Sequence, residues 1–195
     1  MTEAVRETTK PIVQIPPHGG MLVNRTLVGD ALKAATERAS DLPQVVLSEQ
    51  NLADLEMIAN GAMSPLTGFM EQAEYQSVVR EMHLPDGLPW TLPITLSVDS
   101  AFAATLREGS EVALVEQSDK GTQIVGIMQV TQKFTYDKQD EAHNVFRTTD
   151  DKHPGVAALY RQGEVLLGGP VWALRQSERA LNDFPELRYT PAQTR

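Results

Sequence analysis

The side chains that most often perform chemistry in enzymes are few and scattered in this sequence. It has four histidines, and no two of them have the spacing of metal ligands. Cysteine is absent, which excludes thiolate nucleophiles, thiolate metal sites and disulfides. Neither the G-x-S-x-G motif of serine hydrolases nor the G-x-x-x-x-G-K-[ST] phosphate loop occurs. We therefore assign no catalytic, cofactor-binding or metal-binding residue in this chain.

Two segments nevertheless gather polar side chains. Residues 148–155, TTDDKHPG, place Thr149, Asp150 and His153 in one loop, which predicts either a polar contact site or a turn held by Asx hydrogen bonds. The turn is the favoured interpretation. His18, Gly19, Gly20 and Arg25 form the second segment and could cradle a phosphate, but a glycine pair beside a proline pair more often forms a turn.

The elements that must position these segments are helices, mainly before Gly87, and strands after it. Helical spacing and capping residues predict helices at 30–39, with Asp30 as the cap, at 52–60 before Gly61, at 71–82 with Met82 facing inward, after Asp99, and at 139–146. Alternation and turn residues predict strands at 45–47, 93–98, 112–115, 124–130, 165–167 and 171–174. The strands at 112–115 and 124–130 are expected to pair around a turn at 118–121. Short strands at this spacing predict an α+β fold with a small, partly closed barrel over residues 91–174.

The chain divides into three expected segments. Residues 1–16 are an irregular lead-in, residues 17–176 are the folded domain, and residues 177–195 are a polar linker that loses periodicity. The hydrophobic fraction of 41% is enough to form a core.

Composition and charge restrict the partners. The net charge of −9, with dispersed Lys and Arg, argues against nucleic acid, whose phosphates require clustered cations. Neither a signal peptide nor an apolar run of about 20 residues is present, so we expect no membrane partner and a cytoplasmic location.

Six motifs in collinear order together resemble ATP sulfurylase, the sulfate adenylyltransferase family. They are PHGGMLVNR at 17–25, DLEMIANG at 54–61 with SPLTGFM at 64–70, WTLPITL at 90–96, TTD at 148–150 with HPGV at 153–156, GGP at 168–170, and YTPAQTR at 189–195. Arg147 departs from the family pattern, in which a small residue, usually glycine, precedes TTD.

The resemblance implies a PUA-like β-pseudobarrel with N-terminal helices, followed in a full-length enzyme by an α/β nucleotide-binding domain. That enzyme would join sulfate to the α-phosphate of ATP, supplied as Mg-ATP. The family's catalytic signature, Q-[TS]-R-N-P-x-H-x-A-H, does not occur in these 195 residues, so the resemblance assigns no catalytic residue here. We expect an accessory domain that contacts the catalytic domain through His18, Gly19, Gly20, Arg25, Thr149, Asp150 and His153, in an enzyme that can form a homo-oligomer.

Two alternatives remain open at this stage. PUA-like barrels elsewhere bind RNA, so a free-standing RNA-binding module is the first, although the net charge weighs against it. An independent protein-interaction domain is the second.

Overall fold

The computed structural model describes residues 15–195, in which helices and short strands are interleaved along the chain. The α-helices are α1 (Gly29–Ala39), α2 (Glu49–Asn60), α3 (Gln72–Glu81), α4 (Ser100–Thr105), α5 (Lys138–Glu141), α6 (Pro154–Tyr160), α7 (Glu178–Asn182) and α8 (Pro191–Thr194). The strands are β1 (Gln44–Val46), β2 (Gly68–Phe69), β3 (Leu96–Val98), β4 (Glu111–Ser118), β5 (Gly121–Gln129), β6 (Gln132–Thr135) and β7 (Val165–Ala173). A π-helical turn (Ala142–Phe146) continues α5, and a 3-10 turn (Pro185–Leu187) follows α7.

The seven strands form one sheet that curves into a half-barrel around β7. The order along the main path is β1-β4-β5-β7-β2, and β3 and β6 also pair with β7. All pairs are antiparallel except β1 with β4. Because β7 contacts four other strands, its nine residues hold the barrel together.

Side-chain alternation along the strands separates two apolar layers. Met128 of β5 lies in the main core with Leu55 and Ile58 of α2 and Val78 of α3. The preceding residue, Ile127, points to the opposite face and packs against α1. This reversal follows from the two-residue period of a strand, and it explains why α1 and α2 cover different faces of the sheet.

The predicted fold class is confirmed, as is most of the predicted order of elements. Gly61 ends α2 with a φ of 89°, and the Asp99 side chain caps α4 by accepting from the backbone N–H of Phe102. Strands β4 and β5 form the predicted hairpin. The predicted helix at 139–146 is present as α5 and its π-helical continuation.

Three details of the predicted elements are wrong. Val28, not Asp30, occupies the cap position of α1, because the chain turns into the helix at Gly29, whose φ is 59°. Met82 is only half buried, since it ends α3 in a left-handed conformation. The two strands predicted at the end of the barrel are one continuous strand, β7.

Strand β7 runs without a break through its glycines because the backbones of neighbouring segments lie very close to it there. A Cβ on Gly169 would lie 2.1 Å from the carbonyl oxygen of Gln129, and a Cβ on Gly68 would lie 1.9 Å from that of Gly169. The glycines therefore let backbones touch, whereas the sequence pattern had suggested a break. Strands β2 and β6 were not predicted at all, and β1 and β2 enter the sheet from the helical half of the chain.

The ends of the chain complete the description. The predicted lead-in at residues 1–16 lies outside the described residues, apart from its last two. Residues 177–195 contain short helices, and their first part packs on the domain: Ser177 and Ala180 are buried.

Candidate functional site

The loop at 148–155 is held by its own hydrogen bonds. The Oδ1 atom of Asp150 accepts from the backbone N–H of Lys152 at 3.0 Å, which is an Asx turn, and the hydroxyl of Tyr160 donates to the carbonyl of Thr149 at 3.0 Å. His153 caps α6, since its Nδ1 atom accepts from the backbone N–H of Gly155. The favoured turn interpretation is thus what the structure contains, and Pro154 begins a helix that the sequence analysis had not predicted.

Two residues connect this loop to the π-helical turn before it. Arg147 ends that turn with a φ of 59°, in the left-handed region that favours glycine. The glycine expected there from the family pattern therefore has a conformational reason. The Phe146 ring lies 5.2 Å from the His153 ring, so the imidazole rests on an apolar surface.

The segment at 18–20 is a tight turn packed against a proline. Gly19 and Gly20 both have positive φ, and the backbone N–H of Gly20 donates to the carbonyl of Pro17 at 2.8 Å. A Cβ on Gly19 would meet the Pro65 ring at 3.0 Å. These glycines are therefore required by the turn and its packing.

His18 and Arg25 bind separate protein carbonyls. Nε2 of His18 donates to the carbonyl of Pro89 at 3.0 Å. Nε of Arg25 donates to that of Val171 at 3.0 Å, and its guanidinium lies 4.1 Å from the centroid of the Trp172 ring. Burial lowers the pKa of Arg25, as expected for a desolvated cation. A phosphate cradle was one interpretation that the sequence left open for this segment. Because His18 and Arg25 are already bound to protein carbonyls, these contacts give it no support.

A series of contacts leads from the first segment toward the second through Trp90. The His18 and Trp90 rings are 6.0 Å apart, and the indole N–H of Trp90 donates to the carbonyl of Leu92. Leu92 and Phe146 line the same cavity of about 590 Å³, and Phe146 contacts His153. Within residues 15–195, no hydrogen bond or ring contact joins His18 directly to His153. We call the segments at 18–25 and 148–155 together the histidine face.

A buried polar cluster near the same cavity was missed by the sequence analysis. Glu141 is 6% exposed, and its Oε2 atom accepts from the hydroxyl of Tyr75 at 2.7 Å. Burial raises the pKa of both groups, and it also raises that of Tyr136, whose ring meets Tyr75 edge to face. A carboxylate and two tyrosines from distant parts of the chain leave no local signal in a sequence.

Carboxylates fix the start of the C-terminal segment. Glu56 accepts from the backbone N–H of Ser177 at 2.8 Å, and Glu116 accepts from that of Glu178 at 3.1 Å. Both acceptors satisfy backbone groups that the first turn of α7 leaves free. These two hydrogen bonds hold the start of α7 against the domain.

Within residues 15–195, no group of three or more His, Asp or Glu side chains could hold a metal ion. In the same part of the chain, no helix is long and apolar enough to cross a bilayer.

Comparison with known proteins shows which family the chain belongs to. The family described as PUA-like domain matches residues 15–176, which is most of the chain. The chain belongs to the PUA-like domain family. The fold predicted from the motifs is thereby confirmed.

Curated relatives of this PUA-like domain carry the predicted name. It is 53% identical over 182 residues to the sulfate adenylyltransferase of Symbiobacterium thermophilum, covering 93% of this chain and 45% of that protein. It is 48% identical to the sulfate adenylyltransferase of Synechococcus sp. (strain JA-3-3Ab), with the same coverage. The chain therefore spans about half the length of the relatives it matches, and the resemblance stated from the motifs is confirmed.

A solved structure is also similar. It is described as a hexameric APS kinase from Thiobacillus denitrificans, with a TM-score of 0.66 and 30% identity. The match covers 92% of this chain and 30% of that one.

Proposed function

We propose that this chain is the N-terminal accessory domain of a sulfate adenylyltransferase, an enzyme that forms adenosine phosphosulfate and pyrophosphate from ATP and sulfate. The observation that carries the proposal is the match of nearly the whole chain to less than half of proteins with that name. The domain would orient and support the catalytic region, and a cytoplasmic location belongs to the same proposal.

The chemistry of the described residues supports an accessory role. Attack by sulfate on the α-phosphate gathers negative charge, which several cationic or N–H donors must stabilise together. On the histidine face, His18 and Arg25 are bound to the carbonyls of Pro89 and Val171 instead. The catalytic groups, and the binding of Mg-ATP and sulfate, would therefore belong to the rest of the enzyme.

The first experiment measures pyrophosphate release from ATP and sulfate by residues 1–195 and by a full-length enzyme that carries this domain. We expect turnover only from the full-length enzyme, because the shorter chain does not gather the required donors. Sulfate-dependent turnover by residues 1–195 alone would overturn the proposal.

We further propose that the histidine face contacts the catalytic region. Four of its polar side chains are exposed and offer little apolar material to the domain's own core, namely those of His18, Thr149, Asp150 and His153. The C-terminal segment adds exposed apolar side chains that a neighbouring domain could cover, namely Leu181, Phe184, Leu187 and Tyr189.

The test of this contact is His153→Asn in the full-length enzyme. Asparagine retains a side-chain acceptor for capping α6 but removes the ring, whereas alanine would also remove the cap, at a cost of about 0.5–2 kcal/mol. We expect activity or assembly to fall while the melting temperature of residues 1–195 stays constant. His143→Asn, at another exposed histidine outside both segments, is the control. Equal losses of activity and of melting temperature would show that His153 serves only the loop.

Homo-oligomer formation is the remaining part of the proposal. The support is the similar solved structure, which is described as hexameric. Sedimentation of the full-length enzyme tests it, and a monomer at all concentrations would contradict it.

A further inference from the structure

A continuous groove runs along the half-barrel beside strand β1. Two cavities, of about 590 and 540 Å³, adjoin there and share lining residues. The shared residues are Val46, Ser97, Arg161, Gln162 and Gly163. The groove therefore passes between β1 on one side and β3 and the end of α6 on the other.

Within residues 15–195, the β1 side of this groove is a sheet edge that pairs only with β4. The carbonyl of Pro43 and the N–H of Leu47 bond to β4, and Val45 lies directly between them in the parallel register. Since alternate residues of a strand direct their backbone groups to the same side, those of Gln44 and Val46 face the groove. Val46, the last residue of β1, is also 52% exposed, which is unusual for an apolar side chain on an edge strand.

Two backbone groups of the opposite wall are already bonded within the domain. Nδ2 of Asn51 donates to the carbonyl of Thr95 at 2.9 Å, and Oγ of Ser97 accepts from the backbone N–H of Gly163 at 3.2 Å. Among the described residues, Gln44 and Val46 of the β1 wall offer backbone donors and acceptors to a chain lying in the groove.

The groove also has a definite chemical character. Leu92, Phe146 and Leu159 line one part of it and offer apolar contacts to an inserted side chain. Its exposed charged lining is one cation, Arg161, against three carboxylates, Glu49, Asp99 and Glu164. An occupant with positive charge is favoured, and a second copy of this chain, with a net charge of −9 and the same carboxylates, is disfavoured.

We propose that this groove binds an extended, cationic segment of another protein, which adds to the free edge of β1 as a further strand. Backbone hydrogen bonds to Gln44 and Val46 supply the affinity, as in other cases of strand addition. Apolar side chains of the segment enter the cavity beside Leu92 and Phe146. Its Lys or Arg side chains face Glu49 and Glu164.

The probe is a fluorescein-labelled seven-residue peptide of alternating lysine and valine, titrated into residues 1–195 and followed by anisotropy. We expect saturable binding that weakens as salt rises, and at least tenfold weaker binding of the same peptide with glutamate in place of lysine. Equal binding of the two peptides, or none of the lysine peptide at millimolar concentration, overturns the proposal.

Val46→Pro removes the groove-facing N–H but no bond to β4, so the fold should tolerate it. Val46→Thr, which retains the N–H and the branched shape, is the matched control. We expect the proline variant to bind the lysine peptide at least tenfold more weakly and the threonine variant to stay within about threefold. Equal affinities of the two variants contradict strand addition.

Glu164→Lys tests the same site without altering the backbone, should the proline variant fail to fold. We expect weaker binding of the lysine peptide and a smaller salt dependence; unchanged binding contradicts the proposal. Sedimentation of the free chain tests for a second copy, and dimers lost in Val46→Pro would assign the groove to self-association instead. If the full-length enzyme does not bind the peptide, the groove is instead assigned to a segment of the enzyme's own remaining region.

Discussion

Replacing Asp54 by asparagine should stabilise the chain at neutral and alkaline pH. Asp54 lies on α2 with only 5% of its surface exposed, beside core residues Leu55 and Ile58. Burial raises the pKa of its carboxyl from 3.8 to about 6, because the charged form loses hydration. Asparagine has nearly the same shape and carries no charge.

The magnitude follows from linkage between protonation and folding. The folded-state pKa exceeds the unfolded value. The stability that the protonated carboxyl contributes is therefore fully present below pH 3.8 and is lost as pH rises through about 6. At about 1.4 kcal/mol per pKa unit, the shift corresponds to about 3 kcal/mol. As pH rises from 4 to 8, we expect the free energy of unfolding of Asp54→Asn to gain about 1–3 kcal/mol relative to that of the wild type.

Urea denaturation of both proteins between pH 4 and pH 8 measures this difference. Glu49→Gln is the control, since Glu49 is an exposed carboxylate on the same helix, and its effect should not vary by more than about 0.5 kcal/mol. A difference between Asp54→Asn and wild type that does not change with pH would refute the reasoning.

Three further substitutions test the packing. Gly169→Ala should cost at least about 3 kcal/mol or prevent folding, because its Cβ would meet the Gln129 carbonyl at 2.1 Å; Gly121→Ala, with open space around its Cβ, should cost only the strain of its backbone. Arg147→Gly should leave the melting temperature unchanged or raise it, since glycine adopts a φ of 59° freely; a clear decrease contradicts this. Tyr75→Phe should cost about 1–3 kcal/mol by removing a donor to the buried Glu141. That cost should be larger at pH 8 than at pH 5 in denaturation curves, because the charged carboxylate needs the donor more.

Local patterns were sufficient wherever neighbouring residues decide the structure. Gly61 predicted the end of α2, since a left-handed residue without Cβ is the usual helix stop. The turn residues at 118–121 predicted the hairpin of β4 and β5, and Asp99 predicted the cap of α4. The order of the motifs was sufficient to identify the PUA-like fold.

The candidate site was predictable only in part. The loop at 148–155 forms the expected Asx turn, because its hydrogen bonds join residues two or three positions apart. Glu141 and Tyr75 meet across 66 positions, so no local pattern could have paired them. The role of the face that carries His18 and His153 stays a prediction.

The sequence by itself determined the end of α2, the start of α4, the hairpin, the charge and the family resemblance, because each depends on adjacent residues or on their order. Only the tertiary structure decided that Gly168-Gly169-Pro170 continues a strand, since the reason is contact with Gln129 and Gly68 from elsewhere in the chain. It alone placed β1 at a sheet edge beside a groove within residues 15–195, because an edge is defined by which strands lie beside it. Such contacts depend on the packing of the whole chain, and a linear pattern of residue types does not record them.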